Sequence, residues 1–181
     1  MRVTGPGPTP NSLRATVSAA GDLHTVLVVR SGLLDIPEAL RTGSSNRLRP
    51  LDHQPRRCRI TLIAGLPQPQ RLIAGVPTCS QLRLPFSVDA PFETDAEFAV
   101  VSPEHSALNA WLLNRAGHLA ATTMCAWLGN RSQAVRDRAE ALRLLTDRMA
   151  NDGTLETACA EAVAAATATA LRGRDSEVEF K

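Results

Sequence analysis

Thiols, imidazoles and carboxylates are the side chains that hold metals and carry out nucleophilic or acid–base work, and their spacing here restricts both. The cysteines stand at Cys58, Cys79, Cys125 and Cys159, with no Cys-x-x-Cys pair, and the histidines at His24, His53, His105 and His118. A zinc site needs three or four ligands converging on one point. His118 and Cys125 alone share a predicted helix, and they stand about 10 Å apart along its axis at ~1.5 Å per residue, too far to hold one ion. No metal site is expected. The chain also lacks a Gly-x-Ser-x-Gly elbow, a Walker loop and a Rossmann glycine pattern, so the common devices for nucleophilic attack and phosphate binding are missing. Cys125 reads as a small apolar residue on a buried helix face rather than as a reactive thiol. Neither a catalytic residue nor a cofactor is expected.

Positive charge gathers in one place. Between Arg41 and Arg59 there are six arginines against one acid, Asp52. Turn formers without hydrophobic periodicity make residues 42–57 an exposed Arg-rich loop. Contact with phosphate would follow from charge alone and carry no sequence preference, so nucleic-acid binding through this loop is the weaker expectation. The whole chain argues the same way. Its 181 residues carry a net charge of only +2, and 3% aromatics leave almost nothing from which to build a base-stacking platform.

With 44% hydrophobic residues the chain can bury one ordinary core or two small ones. Four scattered cysteines do not make a disulfide framework. No N-terminal apolar run of about 7–15 residues and no stretch of about 18 apolar residues occurs, which argues against a signal peptide and a membrane span. A cytoplasmic protein without a membrane partner is expected.

The elements follow from local pattern. Gly5, Pro6, Gly7, Pro8 and Pro10 predict a disordered leader over residues 1–11. Aliphatic and β-branched runs on either side of Gly21-Asp22 predict a hairpin, with Val26–Val29 as a buried strand. Asp35 to Leu40 reads as a short capped helical turn ending at Gly43. Leu62–Pro67 (LIAGLP) and Leu72–Pro77 (LIAGVP) are near-copies ten residues apart, expected as two strands joined by a proline-bearing turn. Leu82 to Asp89 alternates as a further strand, with Pro85 marking an edge or bulge.

After Val101 the pattern becomes helical. Ser102-Pro103-Glu104 is a helix-start signal, followed by Leu108, Trp111, Leu112, Leu119 and Met124 or Trp127 at helical spacing, with a stop at Gly129-Asn130. A second helix is expected from Ser132 with an apolar stripe of Val135, Ala139, Leu142, Leu145 and Met149. A third, alanine-rich helix is expected to carry Leu155, Cys159, Val163 and Leu171. Its alanines bury little area each, so loose docking and pairing with another chain are anticipated. The expected class is α+β, an antiparallel or mixed sheet from residues 12–101 packed against a three-helix segment over 102–172, with a tail at 173–181.

One stretch resembles a known family. Gly75-Val76-Pro77-Thr78, then Leu84-Pro85-Phe86-Ser87-Val88-Asp89-Ala90-Pro91-Phe92, then Leu108-Asn109-Ala110-Trp111-Leu112 are similar in order and spacing to motifs of the sacsin-like proteins of the GHKL ATPase superfamily, relatives of the heat-shock chaperone ATPases. Leu108 replaces the family's usual tryptophan, and no arginine lies between Arg83 and Arg115, where members often carry one. The nucleotide pocket of that superfamily needs a helix with a Glu base and a magnesium-binding Asn, an Asp-x-Gly-x-Gly turn and a glycine-rich lid. No Asp-x-Gly occurs here, and the single Gly-x-Gly is Gly5-Pro6-Gly7. The resemblance thus implies the region downstream of the nucleotide pocket, not an enzyme: a coupling or protein-interaction segment served by a protein partner or an upstream ATPase domain. A stand-alone adaptor that self-associates through its alanine-rich helices is the alternative. The matched residues are expected to be structural, with Phe86, Val88, Phe92 and Trp111 docking the first helix on the sheet and Asp89 bracing the Ala90-Pro91 turn.

Overall fold

The computed structural model describes residues 1–19, 21–42, 56–145 and 154–178. Strands fill the first half and helices the second, the α+β arrangement expected from the change of pattern at Val101. Strand β2 (Ser12–Ala19) pairs with β3 (Asp22–Arg30) in unbroken register from Ser12↔Val29 to Ala19↔Asp22, with Gly21 at φ +90° beside the turn. The hairpin is therefore present. Val29 and Leu27 pack toward the main core, whereas Val26 and Val28 join Ala15 in a smaller cluster. Alternation sends these two sets to opposite faces, so β3 is apolar on both.

The leader differs from expectation. Arg2–Pro6 form strand β1, antiparallel to β2 at the sheet edge, with a bulge between Val3 and Gly5. An edge strand uses only one side of its backbone ladder, and Pro6 stands at its last position, so neither proline nor glycine excludes it. The following turn is closed by Gly7 N–H to Ser12 O at 3.0 Å and by Thr9 N–H to Ser12 Oγ at 2.9 Å. Proline content read the flexibility of the unfolded leader and missed the pairing that β2 offers it.

A two-stranded ribbon joins β4 (Leu34–Asp35) to β5 (Arg57–Cys58), with helix α1 (Glu38–Thr42) between them in sequence. Residues 43–55 of the Arg-rich loop lie outside the described residues. Its end is described: Arg57 Nε donates to Asp35 Oδ1 at 2.6 Å, an ion pair between two exposed side chains.

The two near-copies do become strands, β6 (Thr61–Ala64) and β7 (Gln70–Ile73), yet they do not pair with each other. Strand β9 (Phe86–Asp89) lies between them, and both Leu62 and Leu72 sit opposite its Val88. The single strand expected over 82–89 is two strands. β8 (Pro77–Leu82) ends, and a bend at Arg83–Pro85 carries the chain past β7, so that β9 runs parallel to β7 and antiparallel to β6. Pro85 sits in that bend, where no ladder hydrogen bond is required of it. The sheet of seven strands runs β1-β2-β3-β6-β9-β7-β8 and is mixed. Phe86 and Val88 on the interior strand β9 are fully buried and belong to the core cluster shared with the helices.

Helix α2 (Ala107–Gly129) starts four residues later than the Ser102 signal. Ser106 is the N-cap: its Oγ accepts from Asn109 N–H at 3.1 Å and donates to the Glu93 carboxylate at 2.5 Å. Ser102 instead closes a turn, its carbonyl accepting from His105 and Ser106. A cap tied to the sheet connection prevails over one standing alone. The stop at Gly129 is as read, with the Asn130 N–H bonded to Trp127 O.

The second helix is broken into α3 (Val135–Ala139) and a 3₁₀ segment over Glu140–Leu144. Three residues per turn put Ala141 and Leu144 on one line, and these are buried, while the expected stripe residues Val135, Leu142 and Leu145 are exposed. Met149 falls outside the described residues.

Helix α4 (Leu155–Val178) runs through Gly173 into the expected tail. Cys159 and Val163 are fully buried, as read, and Leu155 and Leu171 half-buried. Loose docking is not observed. Gly117 of α2 faces α4 so closely that an added Cβ would collide with the Val163 carbonyl and stand 2.6 Å from Ala166 Cβ, and the single Thr167 hydroxyl proton is shared between Val163 O at 2.8 Å and Gly117 O at 3.2 Å. Alanines that bury little area each allow this approach, and close contact along the helix replaces bulk.

Candidate functional site

The residues that carry the family resemblance gather where the β8–β9 end of the sheet meets the start of α2. Gly75, at φ +76°, forms the turn from β7 into β8. Asp89 Oδ1 accepts from Gly75 N–H at 3.3 Å, so the carboxylate braces this turn and not the Ala90-Pro91 turn expected for it. Parallel pairing of β7 and β9, invisible in sequence, puts residue 89 beside residue 73 and hence near the turn. Pro77 opens β8, and Thr78 Oγ1 donates to Leu72 O at 2.7 Å. Leu84, Phe86, Ala90 and Phe92 are buried in the main core. Pro85 holds the bend described above.

On α2, Leu112 and Leu113 are fully buried, whereas Trp111 is only half-buried with the Arg115 guanidinium 5.5 Å from its ring centroid. The two leucines carry most of the docking, and Trp111, expected to share it, packs against the same core from the margin of the buried stripe. Asn109 is fully buried and saturated. Its Oδ1 accepts from Glu93 N–H at 2.8 Å, and its Nδ2 donates to Glu93 O at 3.0 Å and Val101 O at 2.8 Å. A primary amide is the one neutral side chain able to donate and accept across a loop in this way. Together with the Ser106–Glu93 contact it ties both ends of the 93–101 segment to the helix start.

That segment presents the feature that sequence reading missed. Thr94 bridges Val100, and Asp95 Oδ1 accepts from the N–H groups of Glu97 and Ala99, each at 2.9 Å. Cys79 N–H donates to Phe98 O at 3.3 Å and the Cys79 thiol to Glu97 O at 3.0 Å, so the loop closes over the β8 edge. Phe98, at the tip, has φ +62° and is 52% exposed. A left-handed backbone is costly for a residue with a bulky side chain. Asp95 three residues earlier was a turn signal; exposure of Phe98 had none. Val76, in the adjoining β7–β8 turn, is also exposed.

The thiols do not form a centre. Among the described residues no group of three or more His, Cys, Asp or Glu side chains converges. Burial pushes the Cys58 thiol up, and burial followed by the nearby Glu156 charge pushes Cys159 up to about 12. Cys125 is half-buried and Cys79 exposed. His53 lies outside the described residues. No family model, curated protein or solved structure matches the chain.

Proposed function

We propose that this chain is a non-catalytic protein-interaction segment, in line with what its resemblance to the region downstream of the pocket in sacsin-like ATPases implies, and that the Phe98 loop is its contact point. One observation carries the reading. An exposed aromatic is held in a left-handed conformation by a loop whose other groups are bonded to Asp95, Cys79 and Asn109. Strain that the surroundings maintain clusters at functional positions, and a pre-ordered aromatic loses little entropy when a partner covers it. Pairing through the alanine-rich helix is less favoured, because α4 spends its small-residue face on Gly117 of α2.

Phe98→Gly tests the proposal, since glycine adopts φ near +62° without penalty and removes only the ring. Binding is read by fluorescence anisotropy with reduced, carboxymethylated lactalbumin as an unfolded polypeptide probe. The expected outcome is saturable binding by the native chain, at least tenfold weaker in Phe98→Gly, with a melting temperature at or above that of the native chain. Calorimetry with ATP and magnesium is expected to give no saturable heat. Equal binding by the two proteins, or micromolar magnesium-dependent ATP binding, overturns the reading.

A further inference from the structure

Away from the Phe98 loop, the other end of the sheet holds a cleft of about 400 Å³, open on one side, between β3, the β6–β7 connection and the 3₁₀ segment. This lies within the range of roughly 300–1,000 Å³ in which small-molecule sites fall. Its walls mix apolar side chains, Leu27, Leu66 and Trp127 among them, with polar ones that include Gln70 and the charged Arg14, Glu140 and Arg143.

The walls are held firmly. Gly65, at φ +94°, lets the connection press against β3, where an added Cβ would stand 2.8 Å from the Thr25 carbonyl. Gln70 is buried and uses both ends of its amide, Nε2 donating to Leu66 O and Oε1 accepting from Ser87 Oγ, each at 2.9 Å. The cleft therefore exists before any ligand arrives.

Two features of the lining bear on what it could hold. Trp127 is 5% exposed and contributes part of its ring to the cleft wall, while its Nε1–H is sealed from solvent without an acceptor among the described residues. Arg14 projects from β2 into the lining and is paired with no acid among the described residues, whereas the second lining arginine, Arg143, is already held by Glu140 at 2.8 Å. The Arg143–Glu140 pair cancels, and the lining keeps one positive charge, that of Arg14.

We propose that this cleft is a binding site for a small organic carboxylate with a flat or short-chain apolar body. The apolar body lies against Leu27, Leu66 and Trp127, and the carboxylate meets the Arg14 guanidinium at the mouth. Charge selects an anion, and the cleft's size excludes a polymer.

The probe is 2-naphthoate, titrated by calorimetry and by the two tryptophan indole N–H signals in proton–nitrogen correlation spectra, with 2-naphthamide as the neutral control. The expected result is one saturable site with a Kd on the order of 1 mM or below, the range a ligand of this size reaches at an ordinary ligand efficiency. It should move the Trp127 indole signal and leave Trp111 in place. Affinity should fall at least fivefold for 2-naphthamide and at least tenfold in Arg14→Glu, an exposed change that spares the core, and recover to within about threefold in Arg14→Lys, since a lysine retains the point charge. Absence of saturation, a perturbed Trp111 with an unmoved Trp127, or equal affinity of Arg14→Glu and the native chain overturns the proposal.

Discussion

Gly117→Ala is the most direct test of how α4 is held. The added methyl would meet the Val163 carbonyl and Ala166 Cβ, so the two helices must separate or tilt. Overpacking of this kind costs about 1–3 kcal/mol. Separation also removes the Gly117 O share of the Thr167 hydroxyl proton, which keeps Val163 O as its acceptor, a loss of about 0.5 kcal/mol. Against this, alanine in a helix interior gains about 1 kcal/mol over glycine. The net expectation is destabilisation by about 0.5–2.5 kcal/mol, or a fall of roughly 1–10 °C in Tm for a chain of this size. Urea unfolding followed by circular dichroism measures the free energy, and hydrogen exchange should show protection lost first across residues 155–171. Gly173→Ala is the control within α4, where nothing lies within 4 Å of the added Cβ. It should be neutral or gain up to about 1 kcal/mol from helix propensity alone. A Gly117→Ala protein as stable as the native chain, with unchanged exchange in α4, would refute the close crossing and return α4 to a loosely docked helix.

Other substitutions separate structural roles. Asn109→Ala strands the Glu93 N–H and two carbonyls in a buried place and should cost roughly 2–4 kcal/mol, visible as a lower urea midpoint. Trp111→Ala should cost less than the roughly 3–5 kcal/mol of a fully buried tryptophan, because the ring is half-exposed. Cys159 holds its proton more tightly folded than unfolded, so the stability it contributes is complete below its ordinary value of 9.0 and is lost as pH rises from there toward about 12. Cys159→Ala should flatten the alkaline side of the stability–pH curve. Replacing Arg47, Arg49, Arg56 and Arg57 by serine should change stability by no more than about 1 kcal/mol, since the described Arg57–Asp35 pair is exposed; binding of the native chain to nucleic acid should be weak, salt-sensitive and without preferred sequence.

Local pattern alone determined the fold class, the Gly21 hairpin, the strand identity of both LIAG near-copies, the Gly129 stop and the buried stripe of Cys159 and Val163. These follow from periodicity and turn chemistry, which act over a few neighbouring residues. What lay out of reach was set by partners distant in sequence. Leu62 and Leu72 look like a hairpin until β9 inserts between them, a choice made by the burial of Phe86 and Val88 against α2. Ser102 and Ser106 are both competent caps, and Glu93 decides between them. The proline-rich leader becomes a strand because β2 has a free edge. Glycine is a weak helix former, and only α4 lying against Gly117 turns the missing side chain into room for the second helix. The cleft beside Trp127 and the exposed Phe98 have the same origin: each is assembled from segments far apart in the chain, so no window of the sequence contains it.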